Sequence, residues 1–441
     1  MDARAMPNQD ASDGSSEQLD ASNGADHVAD SGGKAGDMAT ISDAAAGDAP
    51  MQPCEKNPGN TQDRLELITL STACMPANGD SSFPHMTPDG RYVVFQSEAD
   101  DLVPNDLNGR SDDFLVDLDS GKLELLSKKV GTEVPSGGDS FEPIPSDDAR
   151  YIAFTAYAYD LTSLAPTTGG LFVYLRDRQA GTTRRLPADY ACGYRLDMSG
   201  DAKYIVVEGL TNCQGALTNT DYYSVLEYDV RAGTDRHLGV TGDRGDNYRP
   251  AISRDGRFVV WAIQPPMTRS TMTAQIQVFD RNSELVETLP IYAFGYESID
   301  IADDGNVVAL SQNGQVYRYM RNSRALQLVS KSASGAAGDR ASTQVSLSGD
   351  GRYLVFTSAA TNLVEGDTNE ADDIMLFDAS SDRLERISVA PDGVQADGDS
   401  RRPFISGNGA KVSFTSKARN LPPLAKTGDY QLYIRTLDLS L

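Results

Sequence analysis

The chain has 441 residues and a formal net charge of -25, from 39 Lys and Arg against 64 Asp and Glu. This acidity argues against a nucleic-acid partner, because phosphate binding needs a basic surface. No apolar run approaches the roughly 18 residues of a bilayer span, so we expect no transmembrane segment. We expect a soluble, turn-rich protein that is monomeric.

Residues 1–62 are predicted to be a disordered linker. They hold eleven Asp and Glu and three Lys and Arg, and Leu19, Val28 and Ile41 are the only members of the Leu, Ile, Val, Phe, Tyr and Trp set before residue 61. So little apolar surface cannot offset chain entropy, which predicts a solvated acidic tether. The opening MDARAMPNQD has no signal-peptide pattern. The protein is therefore cytoplasmic, or its numbering starts after a signal.

The four cysteines fall into two pairs, Cys54 with Cys74 and Cys192 with Cys213. They show no C-x-x-C metal pattern, so two disulfides are favoured over four reduced thiols, with three connectivities open. Disulfides behind an acidic tether favour an exported protein, periplasmic or tethered at the cell surface.

A turn followed by an apolar β-run recurs seven times, and the turn residues are spaced by 59, 53, 54, 49, 46 and 59 residues. The runs are Tyr92–Phe95, Tyr151–Phe154, Tyr204–Val207, Phe258–Trp261, Val307–Leu310, Tyr353–Phe356 and Val412–Phe414. A third and a fourth strand follow in each unit, such as Phe114–Leu118 and Leu123–Leu126. Four short strands per repeat of about fifty residues predict the blades of a β-propeller.

The two ends of the chain predict how the ring closes. The seventh unit ends soon after its third strand, Tyr430–Ile434, so one strand is missing. Leu65–Ser71 resembles the fourth strand Leu384–Ser388 and would complete that blade. We therefore expect an all-β fold, a seven-bladed β-propeller over residues 64–441 that is closed by its N-terminal strand.

The repeats resemble those of a known family. Pro250–Trp261, with the sequence PAISRDGRFVVW, and its echo Leu347–Phe356 look like the WD40-like repeat of TolB-type propellers. The N-terminal α/β domain of TolB has no counterpart here. The resemblance implies an extracytoplasmic binding module.

Catalytic signatures are missing from the sequence. It contains no G-x-S-x-G, H-E-x-x-H or G-x-x-x-x-G-K motif, so we expect no peptidase. His27 lies in the linker and His237 in a predicted outermost strand, which leaves His85 near the ring interior as a structural or channel-lining residue.

The innermost strands should border the central channel. Counting from the turns places Phe83, Phe141, Arg195, Arg249, Ser298, Gln344 and Arg402 in one column and His85, Pro143, Asp197, Ala251, Asp300, Ser346 and Phe404 in another. Three converging arginines could clamp a carboxylate or phosphate. Alternatively, each Arg pairs with an Asp of a neighbouring blade, such as Asp197 or Asp300, and holds the blades together.

Two corresponding loops alternate Asp and Asn. The candidate ligands are Asp106, Asn108 and Asp112 in the first blade and Asp367, Asn369 and Asp372 in the sixth. Such oxygens suit Ca²⁺, although neither loop has the EF-hand pattern. The alternative is that these side chains cap the loop backbone. Apart from Ca²⁺, we expect no cofactor.

Three functions follow from these features. The first is an exported, tethered propeller that binds a protein, peptide or glycan at its loops or channel mouth. The second is a polysaccharide-active lyase or hydrolase, which predicts a deep pocket with His85 or an Arg beside a perturbed carboxylate. The third is a structural scaffold without a small-molecule site.

Overall fold

The computed structural model describes residues 65–163, 170–187, 195–210, 223–238, 246–264, 274–293, 296–422 and 428–438. The chain divides into two units, Met1–Pro50 and Met51–Leu441. The first unit and the whole predicted linker, residues 1–62, lie outside the described residues.

The described residues form 28 β-strands and no helix, so nothing among them is a helix able to cross a membrane. Blade one contains β2 (Ser81–Met86), β3 (Tyr92–Ser97), β4 (Asp112–Asp117) and β5 (Lys122–Leu125), and blade two contains β6 (Ser140–Pro145), β7 (Tyr151–Ala156), β8 (Phe172–Asp177) and β9 (Thr182–Arg185). Blade three contains β10 (Arg195–Met198), β11 (Tyr204–Leu210), β12 (Tyr223–Asp229) and β13 (Thr234–His237), and blade four contains β14 (Asp246–Ile252), β15 (Phe258–Gln264), β16 (Ala274–Asp280) and β17 (Leu285–Ala293). Blade five contains β18 (Tyr296–Ile301), β19 (Val307–Gln312), β20 (Gln315–Met320) and β21 (Ala325–Leu328), and blade six contains β22 (Ser342–Leu347), β23 (Tyr353–Ser358), β24 (Asp373–Asp378) and β25 (Arg383–Arg386). Blade seven contains β26 (Ser400–Ile405), β27 (Lys411–Ser416), β28 (Gln431–Thr436) and, from the other end, β1 (Leu65–Leu67).

Each blade is a four-stranded antiparallel sheet, and its second strand is the most deeply buried. In β23 every residue is buried, because both faces of the blade pack against neighbouring blades. Aromatic pairs between the second and third strands fill the sheets: Phe95 and Phe114 stack with ring centroids 5.6 Å apart, and Phe414 and Tyr433 at 5.9 Å. The sequence therefore reads as apolar runs with little alternation.

The recurring turn is held by its own side chains. Thr87 donates its hydroxyl to Asp89 over 2.6 Å and accepts the backbone N–H of Tyr92 over 3.1 Å. The Asp89 carboxylate also accepts the N–H of Arg91 over 2.9 Å. These bonds fix the turn locally, as in other Asx and Ser/Thr turns, which explains why the motif is visible in the sequence.

Closure of the ring by the N-terminal strand is confirmed. β1 pairs antiparallel with β28, with Leu65 opposite Arg435 and Leu67 opposite Tyr433. Beyond β1, the buried Thr69 donates its hydroxyl to Gln431 over 2.7 Å and accepts the N–H of Leu432 over 3.1 Å. The two ends of the propeller are thus joined without a covalent bond.

The ring has two faces, which we name by their connections. The loop face carries the segments between second and third strands and between blades, and the turn face carries the short turns after the first strands. At the turn face, backbone N–H groups of one blade's turn donate to the next: Asp147 to Gly200, Gly200 to Arg254, Asp303 to Gly349, Gly349 to Gly407 and Asn408 to Pro88. This belt ties neighbouring turns together around the channel.

Candidate functional site

A ring of residues from the innermost strands borders the channel on its loop-face side. In five blades this residue forms a β-bulge with positive φ: Phe83, Glu142, Arg249, Gln344 and Arg402. Arg195 and Ser298 occupy the position in the other two blades. We call these seven residues the upper ring. Positive φ is unfavourable for residues other than glycine and is often found at functional sites.

In the second blade the upper-ring residue is Glu142, not Phe141 as the sequence predicts. Phe141 pairs with Thr155 before the bulge, and its ring contacts Tyr157 edge-on at 5.9 Å. For the same reason Ile144, rather than Pro143, is equivalent to His85. Glu142 lies four residues before Ser146, as Phe83 lies four residues before Thr87, so the sequence alignment of this strand was one residue out.

The bulges connect neighbouring blades through their backbone. The N–H of Arg249 donates to the carboxylate of Glu208 in the preceding blade over 2.7 Å, and that of Arg402 donates to Gln344 over 2.9 Å. Glu208 lies opposite Arg195 in the β10–β11 register. Sequence reasoning missed Glu208, although this cross-strand position could have been found by pairing the first two strands of the blade.

Charges from four blades meet at the upper ring. Burial raises the pKa of Glu142, and Glu208 adds to this effect by like-charge repulsion. Arg195, Arg402 and Arg249 oppose it, since each favours the ionised carboxylate. The three arginines predicted from the sequence are therefore brought together, around a carboxylate that the sequence alignment missed.

Two of these arginines interact with Glu142 only at longer range. Among the described residues, neither Arg195 nor Arg402 forms an ion pair. Arg402 lies over the ring of Phe83, 3.6 Å from its centroid, and partial burial lowers its pKa. A guanidinium that is desolvated by an aromatic ring attracts anions more strongly than one in water.

The two predicted channel aspartates have a different role, as links between blades. Asp197 accepts the N–H of Met198 over 2.8 Å and of Ile252 in the next blade over 2.9 Å. Asp300 accepts the N–H of Ile301 and of Leu347 in the next blade, both over 2.8 Å. Burial raises the pKa of Asp197 to about 6 and that of Asp300 to about 7. The alternative in which these aspartates pair with the three arginines is not observed among the described residues.

His85 lines a small cavity on the turn-face side of the channel. Its ring meets Phe404 edge-on at 4.8 Å, and desolvation lowers the His85 pKa to about 4, so the imidazole is neutral near pH 7. The cavity, which Asp197 and Asp300 also line, has a volume of about 70 Å³. A few water molecules fit there, but ligand pockets start at about 300 Å³.

Arg254, which sequence reasoning also missed, helps to close the turn face. Its Nε donates to the carboxylate of Asp147, two blades away, over 2.9 Å, and its Nη1 donates to the carbonyl of Pro145 over 3.3 Å. A Cβ on Gly200, in the blade between them, would lie 2.3 Å from an Asp147 oxygen, so glycine is required for this approach. The side chain of Arg254 therefore narrows the channel at the turn face.

The first Asp/Asn loop is held by internal hydrogen bonds. The amide nitrogen of Asn108 donates to Asp112 over 2.7 Å and to the carbonyl of Ser136 over 2.8 Å, while its oxygen accepts the N–H of Arg110. Asp106 is buried, and its Oδ1 has no hydrogen-bond partner among the described residues. Burial raises the pKa of Asp112 to about 7, and the charge of Asp106 adds to the shift.

In the second loop, the residue equivalent to Asp112 differs from the one that the sequence alignment predicts. Asp373, not Asp372, is equivalent to Asp112, because Asn369 and Ser388 contact Asp373 as Asn108 and Ser127 contact Asp112. Asp372 instead pairs with Arg401 over 2.7 Å. In the described part of the chain, no group of three or more His, Cys, Asp or Glu side chains is placed to hold a metal.

One predicted disulfide residue is described. Cys74 is disulfide-bonded, whereas Cys54, Cys192 and Cys213 lie outside the described residues. The two pairings therefore stay predictions.

No protein-family model and no curated protein matches the sequence. Among solved structures, the chain is similar to an oligogalacturonate lyase in complex with manganese, with 13% identity and a TM-score of 0.53 over 86% of this chain and 97% of that one. It is also similar to prolyl endopeptidases, with 11% identity and a TM-score of 0.54 over 85% of this chain and 51% of that one. TolB from Acinetobacter baumannii is 15% identical, with a TM-score of 0.41 over 75% of this chain and 67% of that one.

The chain is a seven-bladed β-propeller in fold. Identities of this size show a shared fold and no more, because propellers host many unrelated functions. Function has to be argued from the upper ring and the loops around it.

Proposed function

We propose that this propeller is a binding module that holds an anionic group of a protein, peptide or glycan at the loop-face mouth of its channel. Arg195 and Arg402 are the anion contacts, and Glu142 between them accepts a hydrogen bond from a hydroxyl or ammonium group. The observation that carries the proposal is that these two guanidinium groups form no ion pair within the described residues.

Other arginines of the propeller support this interpretation by contrast. At the turns, Arg91 forms a bidentate ion pair with Asp117, and Arg257 forms one with Asp280. Each pair has two hydrogen bonds of 2.9 to 3.1 Å. By contrast, neither Arg195 nor Arg402 has such a carboxylate partner within the described residues. Bidentate contact with a carboxylate or phosphate would satisfy them.

Aromatic side chains near the same mouth suit a peptide or glycan. The guanidinium of Arg402 lies over the ring of Phe83. In the second blade, Phe141 directly precedes Glu142, and its ring contacts the half-exposed Tyr157. Sugar rings and peptide side chains stack on such surfaces, while the charged groups fix their orientation. An acidic oligosaccharide or an acidic peptide combines both requirements.

The test is calorimetric titration of the full chain with uronic oligosaccharides, neutral oligosaccharides and acidic peptides. We expect an anionic ligand to bind and the Arg402→Gln variant to lose at least tenfold in affinity, since a charge-assisted hydrogen bond contributes about 1.5–3 kcal/mol. Arg383→Gln is the matched control, because it removes the same charge from an exposed position on the outermost strand of blade six. Equal losses in both variants, or no binding by any of these ligands, would contradict the proposal and favour a scaffold.

A lyase or hydrolase that acts on polysaccharides is the second candidate, and the raised pKa of Glu142 is the observation that favours it. A carboxyl group whose pKa is raised by burial is suited to general acid–base catalysis. We expect such an enzyme to release reducing ends or unsaturated sugars from uronic oligosaccharides, and Glu142→Gln to abolish turnover while binding persists. Absence of product from every oligosaccharide that binds would leave the binding module.

We also propose that the protein works outside the cytoplasm, tethered through residues 1–62. The disulfide at Cys74 supports this location, because disulfides persist in oxidising compartments. Fractionation of cells that express the full-length protein tests it, with recovery in the cytoplasm in reduced form as the contrary result.

A further inference from the structure

Blade six contains a buried ion cluster that is independent of the channel. Arg386 places its Nη1 3.1 Å from Asp373 and 3.4 Å from Asp367, and all three side chains are at most 8% exposed. Asn369 and Ser388 donate hydrogen bonds to the same Asp373 carboxylate. A cationic group therefore lies between two buried carboxylates and balances their charge.

Blade one repeats this cluster without the cation. Asp106, Asn108, Asp112 and Ser127 have the positions of Asp367, Asn369, Asp373 and Ser388, as the matching hydrogen bonds and strand registers show. The position of Arg386, opposite Met375 in the register, is occupied by Leu125, opposite Phe114. Neither Asp106 nor Asp112 forms an ion pair with any described residue.

An unpaired oxygen points to what is missing in blade one. Asp106 is 5% exposed, and its buried Oδ1 has no hydrogen-bond partner among the described residues. The equivalent carboxylates of blade six, Asp367 and Asp373, both contact Nη1 of Arg386, so Asp106 and Asp112 face the same space in blade one. Asp113, the next residue after Asp112, is also fully buried, and both of its carboxyl oxygens lack a hydrogen-bond partner among the described residues. Buried carboxylates without a counter-charge are strongly unfavourable.

We propose that blade one binds a hard divalent cation, Ca²⁺ by its ligand preference, between Asp106 and Asp112, where blade six has the guanidinium of Arg386. Asp106 Oδ1 and Asp112 supply the charged ligands, and the nearby Ser136 carbonyl, which accepts Asn108 at 2.8 Å, is a further oxygen. Water completes the six to eight ligands that Ca²⁺ takes. Few protein charges and an irregular set of oxygens favour Ca²⁺ over Mg²⁺, which requires octahedral geometry.

The experiment is calorimetric titration of the chelator-treated full chain with CaCl₂ at physiological salt, with a thermal melt in parallel. We expect one saturable site per chain with a Kd of about 10⁻⁴ M, which is typical of sites with few carboxylates. At a hundredfold excess over Kd, Ca²⁺ should raise the Tm by about 3 °C.

Three variants separate this site from the acidic surface in general. Asp106→Asn should lose the saturable site, and Leu125→Arg, which supplies the guanidinium of blade six, should lose it together with the Ca²⁺-dependent rise in Tm. Asp367→Asn removes the same charge from the equivalent position in blade six and should bind Ca²⁺ like the unmodified chain.

The results that overturn the proposal are equally defined. They are an unmodified chain without saturable binding, an Asp106→Asn variant that binds as before, or an Asp367→Asn variant that loses binding to the same extent. Binding of anionic ligands at the channel mouth is measured separately, so failure of the cation site leaves that proposal intact.

Discussion

The variant Leu67→Ala tests whether the N-terminal strand stabilises the closed ring. The side chain is 7% exposed and packs in the core cluster that contains Ile387, Phe414 and Tyr433. Truncating a buried Leu to Ala costs about 2–5 kcal/mol. Because Leu67 lies on the outermost strand of blade seven, where the surroundings can relax, we expect about 2–3 kcal/mol for Leu67→Ala.

This loss is measurable as a shift in melting temperature. At about 2.1 cal/mol/K per residue, a propeller of roughly 375 residues has an unfolding entropy near 0.8 kcal/mol/K, so the Tm should fall by about 3 °C. Urea denaturation should give the matching change in midpoint with an unchanged m-value. Leu107→Ala is the control, because Leu107 is 90% exposed and its truncation should cost less than about 0.5 kcal/mol. Equal shifts in the two variants would refute closure through β1.

Two further predictions concern buried charges. The pKa of Asp300 is raised to about 7 in the folded state, so this group contributes stability below about pH 4 that is lost as the pH rises through 7. Urea midpoints should therefore fall less between pH 4 and 8 for Asp300→Asn than for the unmodified chain, and parallel curves would contradict the link. Arg386→Leu leaves Asp367 and Asp373 buried without a counter-charge, and it should lower the free energy of unfolding by about 3–5 kcal/mol. The exposed Arg383→Leu serves as its control, and an equally small effect of both would show that the ion cluster is not stabilising.

The fold could be predicted because each blade contains a turn that is stabilised by contacts between residues close in sequence. The hydrogen bonds of Thr87 with Asp89 and Tyr92 lie within six residues, so a short sequence motif identifies the turn. The following apolar run is buried on both faces, which makes it visible as a run. Closure was predictable as well, since β1 resembles the fourth strands that it replaces.

The candidate site depends on contacts that no local motif encodes. Arg254 and Asp147 are separated by 107 residues and meet because the ring brings the turns of blades two and four together. Glu142 was missed because the sequence alignment placed β6 one residue out. The three arginines occupy equivalent strand positions because their strands carry the same spacing to the turn, but Glu142 and Glu208 were not predicted beside them.

The role of the aspartates explains why the arginines stay available. Asp and Arg side chains that line one channel normally pair with each other. The sequence alone did not show whether they do so here. In the structure, Asp197 and Asp300 use both carboxylate oxygens for backbone N–H groups, one of them in the next blade. Their hydrogen bonds stabilise the contact between blades. Because these aspartates link neighbouring blades, they do not pair with Arg195 or Arg402 within the described residues, and our proposal has these two arginines bind an anion from solution.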